Sequence, residues 1–171
     1  MKPSSSSRKK KEPPVSFDRA FELLIGSEGG YVNDPHDPGG ETKYGISKRA
    51  YPALHIESLT LADAKRIYHR DFWAFVSGDA LPWPLSYFVF DAAVNQGVAP
   101  AIRILQQALG VDADGVIGPQ TLSAVGKFPQ SEVCALYLAM RGVRYAGTRN
   151  FNIYGLGWLK RLFLALWDTK P

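Results

Sequence analysis

Cysteine occurs once in the 171 residues, as Cys134, so the fold cannot rest on an internal disulfide. Histidine is scarce: His36, His55 and His69 stand alone, with no HExxH pair and no cysteine cluster beside them. That leaves a zinc peptidase or zinc amidase without ligands, and no metal or other cofactor is expected. A GxSxG nucleophile turn is missing, and Cys134 lies in an apolar helical pattern with Val133, Leu136 and Tyr137 that reads as core rather than catalysis. Asp112-Ala113-Asp114-Gly115 starts like a calcium loop but lacks the remaining ligands and the closing Glu. No run of about 18 apolar residues exists, so stable membrane insertion is not expected.

Charge of one sign is also missing from most of the chain. The net charge of +4 comes from residues 1–14, where Lys2, Arg8, Lys9, Lys10 and Lys11 face only Glu12. The remaining residues carry fifteen groups of each sign. The basic character therefore belongs to a polar tail expected to be disordered, and no basic-aromatic surface in the remainder points to nucleic acid. The plainer use of such a tail is solubility; its functional use is attraction to an anionic envelope surface. The basic run is followed by Glu12-Pro13-Pro14 and an amphipathic segment, not by an apolar stretch, so it does not read as a secretory signal.

What is present is a chain with 46% apolar and 21% charged residues, the balance of a globular protein with room for one substantial core or two small lobes. Its densest chemistry lies between Glu28 and Ser47, EGGYVNDPHDPGGETKYGIS, where Glu28, Asp34, Asp37 and Glu41 share a turn-rich segment. Gly and Pro mark consecutive turns, and Asn33, Asp34 and Asp37 are residue types that cap turns, so the acids have a purely local use. The segment before them weighs the other way. Phe17, Ala20, Phe21, Leu24 and Ile25 follow an amphipathic helical period with Ser16 as N-cap, and Gly26, Gly29 and Gly30 bracket the C-terminus. Glu28 then falls at the negative end of a helix dipole, where the protonated form is favoured. A carboxylic acid kept protonated near neutral pH, with further carboxylates folded near it, is what glycosidic-bond hydrolysis requires.

The remaining chain reads as helices. Thr60 with Asp63 caps one that runs to about Trp73; Pro82 and Pro84 open another over 85–95, ended by Gly97. Further helices are expected near 100–109, 119–126, 131–147 and 156–168, and a short hairpin within 31–46. On the helix over 85–95, Asp91 and Asn95 share a face among apolar neighbours and need partners. Asp91 reads as structural; for Asn95 a cleft role and a helix-bridging role stand equal. On the last helix Leu159, Leu162, Phe163 and Leu166 are expected to dock on the core, with Lys160, Arg161 and Asp168 turned away. Trp73, Trp83, Trp158 and Trp167 are expected in the core or at a lobe junction.

The segment EGGYVNDPHDPGGETKYGIS resembles the active-site signature of the glycoside hydrolase family 108 N-acetylmuramidases, which include phage endolysins. YHRDFW at 68–73 and FDAAVNQG at 90–97 resemble that family's next segments, and GVIGPQTL at 115–122 and GLGWLKR at 155–161 its peptidoglycan-binding region. The likeness runs over roughly residues 17–165. It implies a mainly α, α+β lysozyme-like fold: a helical bundle with a small β-hairpin lobe beside the cleft. It implies that Glu28 is the catalytic acid. Looser likeness to phage-type lysozymes, which carry Glu, Asp and Thr in this order, puts Asp37 in the second-carboxylate role and Thr42 beside a water, with Asp34 a competitor for Asp37. Tyr31, Tyr44, Asn95 and Gln96 are candidates for sugar binding.

The organisation expected is a tail at 1–14, a catalytic region at 15–98 and a helical peptidoglycan-binding-like region at 99–171, acting as a monomer on bacterial peptidoglycan. The family implies an endolysin held in the host cytoplasm until a separate pore-former gives it access to the wall. A lytic transglycosylase and a non-catalytic wall-binding protein are the alternatives.

Overall fold

The computed structural model describes residues 17–26, 30–33 and 39–169, and these form seven α-helices and one two-stranded antiparallel hairpin. The architecture is mainly α with a small β element. Glu28, Asp34 and Asp37, like the tail at 1–14, lie outside the described residues.

Helix α1 (Phe17–Ile25) buries Phe17, Ala20 and Phe21. It closes at Gly26, whose φ of +58° is the left-handed conformation that favours glycine, and whose N–H donates to the Glu22 carbonyl at 3.0 Å. Strands β1 (Thr42–Lys43) and β2 (Ile46–Ser47) pair with Lys43 opposite Ile46. The two residues between them, Tyr44 and Gly45, both have positive φ, the pattern of a type I′ turn matched to strand twist. A Cβ at Gly45 would stand 2.6 Å from the Tyr68 hydroxyl, which donates to the Tyr44 carbonyl at 3.1 Å. Val32 exchanges two 2.8 Å backbone hydrogen bonds with Thr42, so the loop re-enters the sheet at that point.

Helix α2 (Leu61–Tyr68) starts from the Thr60–Asp63 capping box that the sequence signals. It continues to Trp73 as expected, but as a π-helical turn over His69–Trp73, with the Ala74 N–H reaching back to the His69 carbonyl. Helix α3 (Leu85–Gln96) is the axis of the core: every residue from Leu85 to Ala93 is buried. Its apolar character on all sides has this cause, since neighbours cover it all round. Phe90 meets Phe17, Tyr68 and Trp73 edge-on, with ring centroids 5.5–6.3 Å apart.

Gly97, at φ +94°, turns the chain into α4 (Val98–Ala108). Helices α5 (Pro119–Val125), α6 (Gln130–Ala146) and α7 (Phe151–Asp168) complete the bundle. Buried Gln106 holds the loop between α4 and α5. Its amide donates to Asp114 at 2.6 Å and to the Val116 carbonyl at 2.9 Å, and its oxygen accepts from the Gly115 N–H. These bonds give Asp114 and Gly115 a turn-forming role. Among the described residues no helix is long and apolar enough to cross a membrane, and no cluster of acids, histidines or cysteine is set to hold a metal.

Helix α7 corrects several sequence expectations. It begins five residues earlier than expected, at Phe151. Leu162 docks on the core, but Phe163 is 72% exposed and Trp167 68%, and Leu166 is exposed too. Arg161 turns inward rather than away. The helix is apolar on nearly every side, so periodicity alone does not say which face is buried; the buried carboxylate of Asp91 draws Arg161 in. Leu136 on α6 is likewise exposed, while Cys134 is buried as expected.

Candidate active site

Helix α3 carries one buried carboxylate, and two guanidiniums converge on it. Arg141 of α6, with no exposed surface, donates from Nη2 to Asp91 Oδ2 at 2.8 Å. Arg161 of α7 donates from Nε and Nη2 to Asp91 Oδ1 at 2.9 and 2.6 Å. One carboxylate against two guanidiniums leaves the cluster with a net positive charge. Arg141 goes on to donate from Nε to Gln96 Oε1 at 3.2 Å, while Tyr145 donates its hydroxyl to Asn95 Oδ1 at 2.9 Å. The Arg141 Nη1 is buried without a partner among the described residues.

This network forms the floor of a groove. A cavity of about 730 Å³ is lined by Leu23 and Leu24 of α1, Asp91 and Asn95 of α3, and Trp158 and Arg161 of α7. A second, of about 510 Å³, is lined by Asn95, Gln96, Arg144, Tyr145, Thr148 and Trp158. Asn95 and Trp158 line both, so the two cavities adjoin along one face. The Trp158 ring lies nearly parallel to that of Tyr145, at 5.1 Å and 23°, and forms a half-buried aromatic wall. Concave sites with an aromatic wall and a few fixed polar groups suit sugars and their substituents.

The structure brings Asn95 and Gln96 together in this groove and leaves both amides anchored through their oxygens. Asn95 therefore bridges helices and also lines this groove, and Asp91 is held in ion pairs within the fold. Thr42, Tyr44 and Tyr31 belong to the hairpin side. Thr42 Oγ1 donates to the Gly40 carbonyl at 3.2 Å, which leaves its lone pairs as its free function. Tyr44 takes a left-handed backbone, uncommon for so bulky a residue, with Lys43 Nζ 5.7 Å from its ring centre. Tyr31 is 38% exposed beside Val32. Glu28, Asp34 and Asp37 fall outside the described residues.

Sequence reasoning missed Arg144, Tyr145, Thr148 and Arg161 as groove residues, because they lie 49 to 66 residues from Asn95 along the chain. Trp158 sits inside the GLGWLKR segment, the one signal that pointed this way.

The model of the family described as glycosyl hydrolase 108 matches residues 21–97, and that of a predicted peptidoglycan domain matches residues 100–163. A solved structure titled as that of Brucella abortus SagA is 34% identical, with a TM-score of 0.79, over 89% of this chain and 92% of that one. The chain belongs to the glycosyl hydrolase 108 family. No curated protein matches it. A family-108 glycosidase followed by a peptidoglycan-domain segment is a peptidoglycan hydrolase, and peptidoglycan is its partner. The groove draws on both matched segments: Leu23, Asn95 and Gln96 come from the first, Arg144, Tyr145 and Trp158 from the second.

Proposed function

We propose that the enzyme is an N-acetylmuramidase that hydrolyses the β-1,4 bond from N-acetylmuramic acid to N-acetylglucosamine, with Glu28 as general acid. The observation that carries this reading is the end of α1. The helix closes at Gly26, and Leu23 and Leu24 just before that stop line the groove. Two peptide units span at most about 8 Å, so covalent connectivity ties Glu28 to that helix end. The negative end of a helix dipole disfavours a nearby carboxylate and favours the proton a general acid needs. Glu28 donates that proton to the bridging oxygen, and Asp37 or Asp34 supports the oxocarbenium-like transition state or activates a water on the opposite sugar face. Thr42, with its hydroxyl proton committed to Gly40, offers lone pairs to such a water.

The biological setting we infer is that of an endolysin released to the wall by a separate pore-former, with the basic segment at 1–14 favouring anionic envelope surfaces.

The test is mass spectrometry of peptidoglycan digested with the protein and reduced with borohydride. Fragments ending in reduced N-acetylmuramic acid are expected; anhydro-muramic ends would make the enzyme a lytic transglycosylase, and intact glycan would leave only wall binding. Glu28→Gln is expected to lower activity by at least about 100-fold with an unchanged melting temperature. A variant that lyses walls at the normal rate refutes the assignment.

A further inference from the structure

We propose that the cavity between the end of α3, the end of α6 and α7 is a subsite for a carboxylate of the peptidoglycan stem peptide, with Arg144 as the cation that selects it. This deepens the peptidoglycan-hydrolase reading and rests on it. Asn95 Oδ1 is taken by the Tyr145 hydroxyl and Gln96 Oε1 by Arg141 Nε. Arg141 can only donate, so its contact fixes Gln96 Oε1 as the oxygen, and Asn95 presents its Oδ1 to the Tyr145 hydroxyl. What both side chains have left to offer is N–H, uncommitted among the described residues.

Arg144 adds an exposed guanidinium at the same cavity, with no ion pair to any described residue. Thr148 Oγ1 spends its proton on the Tyr145 carbonyl at 2.8 Å. The lining side chains thus offer mainly donors, and the ligand that complements them is rich in acceptors and negatively charged. The floor strengthens this preference. Asp91 is overbalanced by Arg141 and Arg161, and this positive charge together with Arg144 outweighs the two negative helix ends, of α3 and α6, that meet the cavity.

A neutral glycan alone does not call for such a set. Each N-acetylmuramic acid carries a peptide whose free carboxylates do. Trp158, on the wall shared with the adjoining cavity, then packs against the sugar, and Arg144, Asn95 and Gln96 meet the peptide branching from it. The C-terminal segment contributes specificity for substituted glycan, not only adhesion.

The test compares intact peptidoglycan with the same glycan strands stripped of stem peptides by an amidase and with the lactyl carboxylates so freed capped as methylamides, using wild-type enzyme and Arg144→Gln. Half-saturating substrate concentration and maximal rate are measured on each, with melting temperature as the folding control. On peptide-bearing glycan Arg144→Gln is expected to raise the half-saturating concentration roughly fivefold at nearly constant maximal rate, the size of one partly exposed charge-assisted contact. On stripped glycan the rise is expected to be clearly smaller, and Arg144→Lys is expected to recover part of the loss. Equal losses on both substrates, or none on either, overturn the subsite.

A binding readout keeps this separate from the chemistry. A soluble muramyl peptide added to full-length Glu28→Gln protein is expected to shift the indole resonance of Trp158, and less so when Arg144→Gln is added. If Glu28→Gln stays active while these shifts are seen, the acid assignment fails and the subsite stands. If Glu28→Gln is inactive and the shifts are absent, the reverse holds.

Discussion

Replacing Asp91 by Asn removes one negative charge and almost no volume from the centre of the fold. The consequence follows from burial. Asp91 is 1% exposed and Arg141 wholly buried, so neither group can recruit bulk water once the pair is broken. An uncompensated buried charge of this kind costs about 3–5 kcal/mol. Arg141 starts at a disadvantage, because Nη1 already lacks a partner among the described residues. Against a total stability of roughly 5–15 kcal/mol, the loss takes a large share. For a chain of this length each kcal/mol lowers the melting temperature by about 2–4 °C, so a fall of roughly 6–20 °C is expected by calorimetry or circular dichroism. The companion variant Asp91→Leu with Arg141→Met removes the two fully buried charges and leaves Arg161, with 37% of its side chain exposed, to turn to solvent; its loss is expected to be much smaller than that of Asp91→Asn. An Asp91→Asn protein melting within 2 °C of the parent, at about 1 kcal/mol or less, refutes the account of the cluster as a buried charge network.

Two further outcomes separate the faces of the C-terminal helices. Leu162→Ala on α7 is expected to cost about 2–5 kcal/mol because it empties a packed site, whereas Leu156→Lys, at a position 84% exposed, is expected to change stability by less than about 0.5 kcal/mol. Comparable losses in urea unfolding would mean the helix is rotated. Burial pushes the Cys134 thiol up to about 11, from an ordinary thiol value of 9.0. The raised folded value favours the neutral thiol, a contribution fully present below pH 9.0 and lost as pH rises through about 11. A thiol-disulfide reagent at pH 8 is therefore expected to label Cys134 only when the protein is unfolded; fast labelling of the folded chain counts against the packing of α6.

The helices were legible where one face is apolar and the other is not. Phe17, Ala20 and Phe21 announce α1, and Thr60 with Asp63 announces the start of α2, because those signals are local. Asp91 was legible as a buried polar group in want of a partner, since an acid within FVFDAAV has no solvent to face. Its partners were not legible: Arg141 and Arg161 lie fifty and seventy residues away, and nothing in a helical period marks a cation as turned inward. α7 misled for the opposite reason. With Ile153, Leu156, Phe163 and Trp167 exposed and Leu162 buried, its hydrophobicity does not distinguish inside from outside. The π turn over His69–Trp73 was equally invisible, because one extra residue in a turn leaves no compositional mark. The groove emerged only in three dimensions. Asn95 was a candidate from its own helix, but Arg144 and Trp158 join it only through the packing of α6 and α7 on α3.

The clasp on Asp91 also bears on how such enzymes can be rearranged. The chain passes from the hydrolase segment to the peptidoglycan segment through Gly97 alone, with no tether between them, and the anion of one is neutralised by cations of the other. A cut near residue 98 would orphan Asp91 and lay bare the flank of α3, so the second segment is not a cargo that can be unplugged. Grafting a foreign wall-anchoring unit in its place would require that unit to bring equivalents of Arg141 and Arg161. What recombination can move intact is the pair, and designers seeking an altered peptidoglycan preference would do better to recut the groove than to exchange the halves.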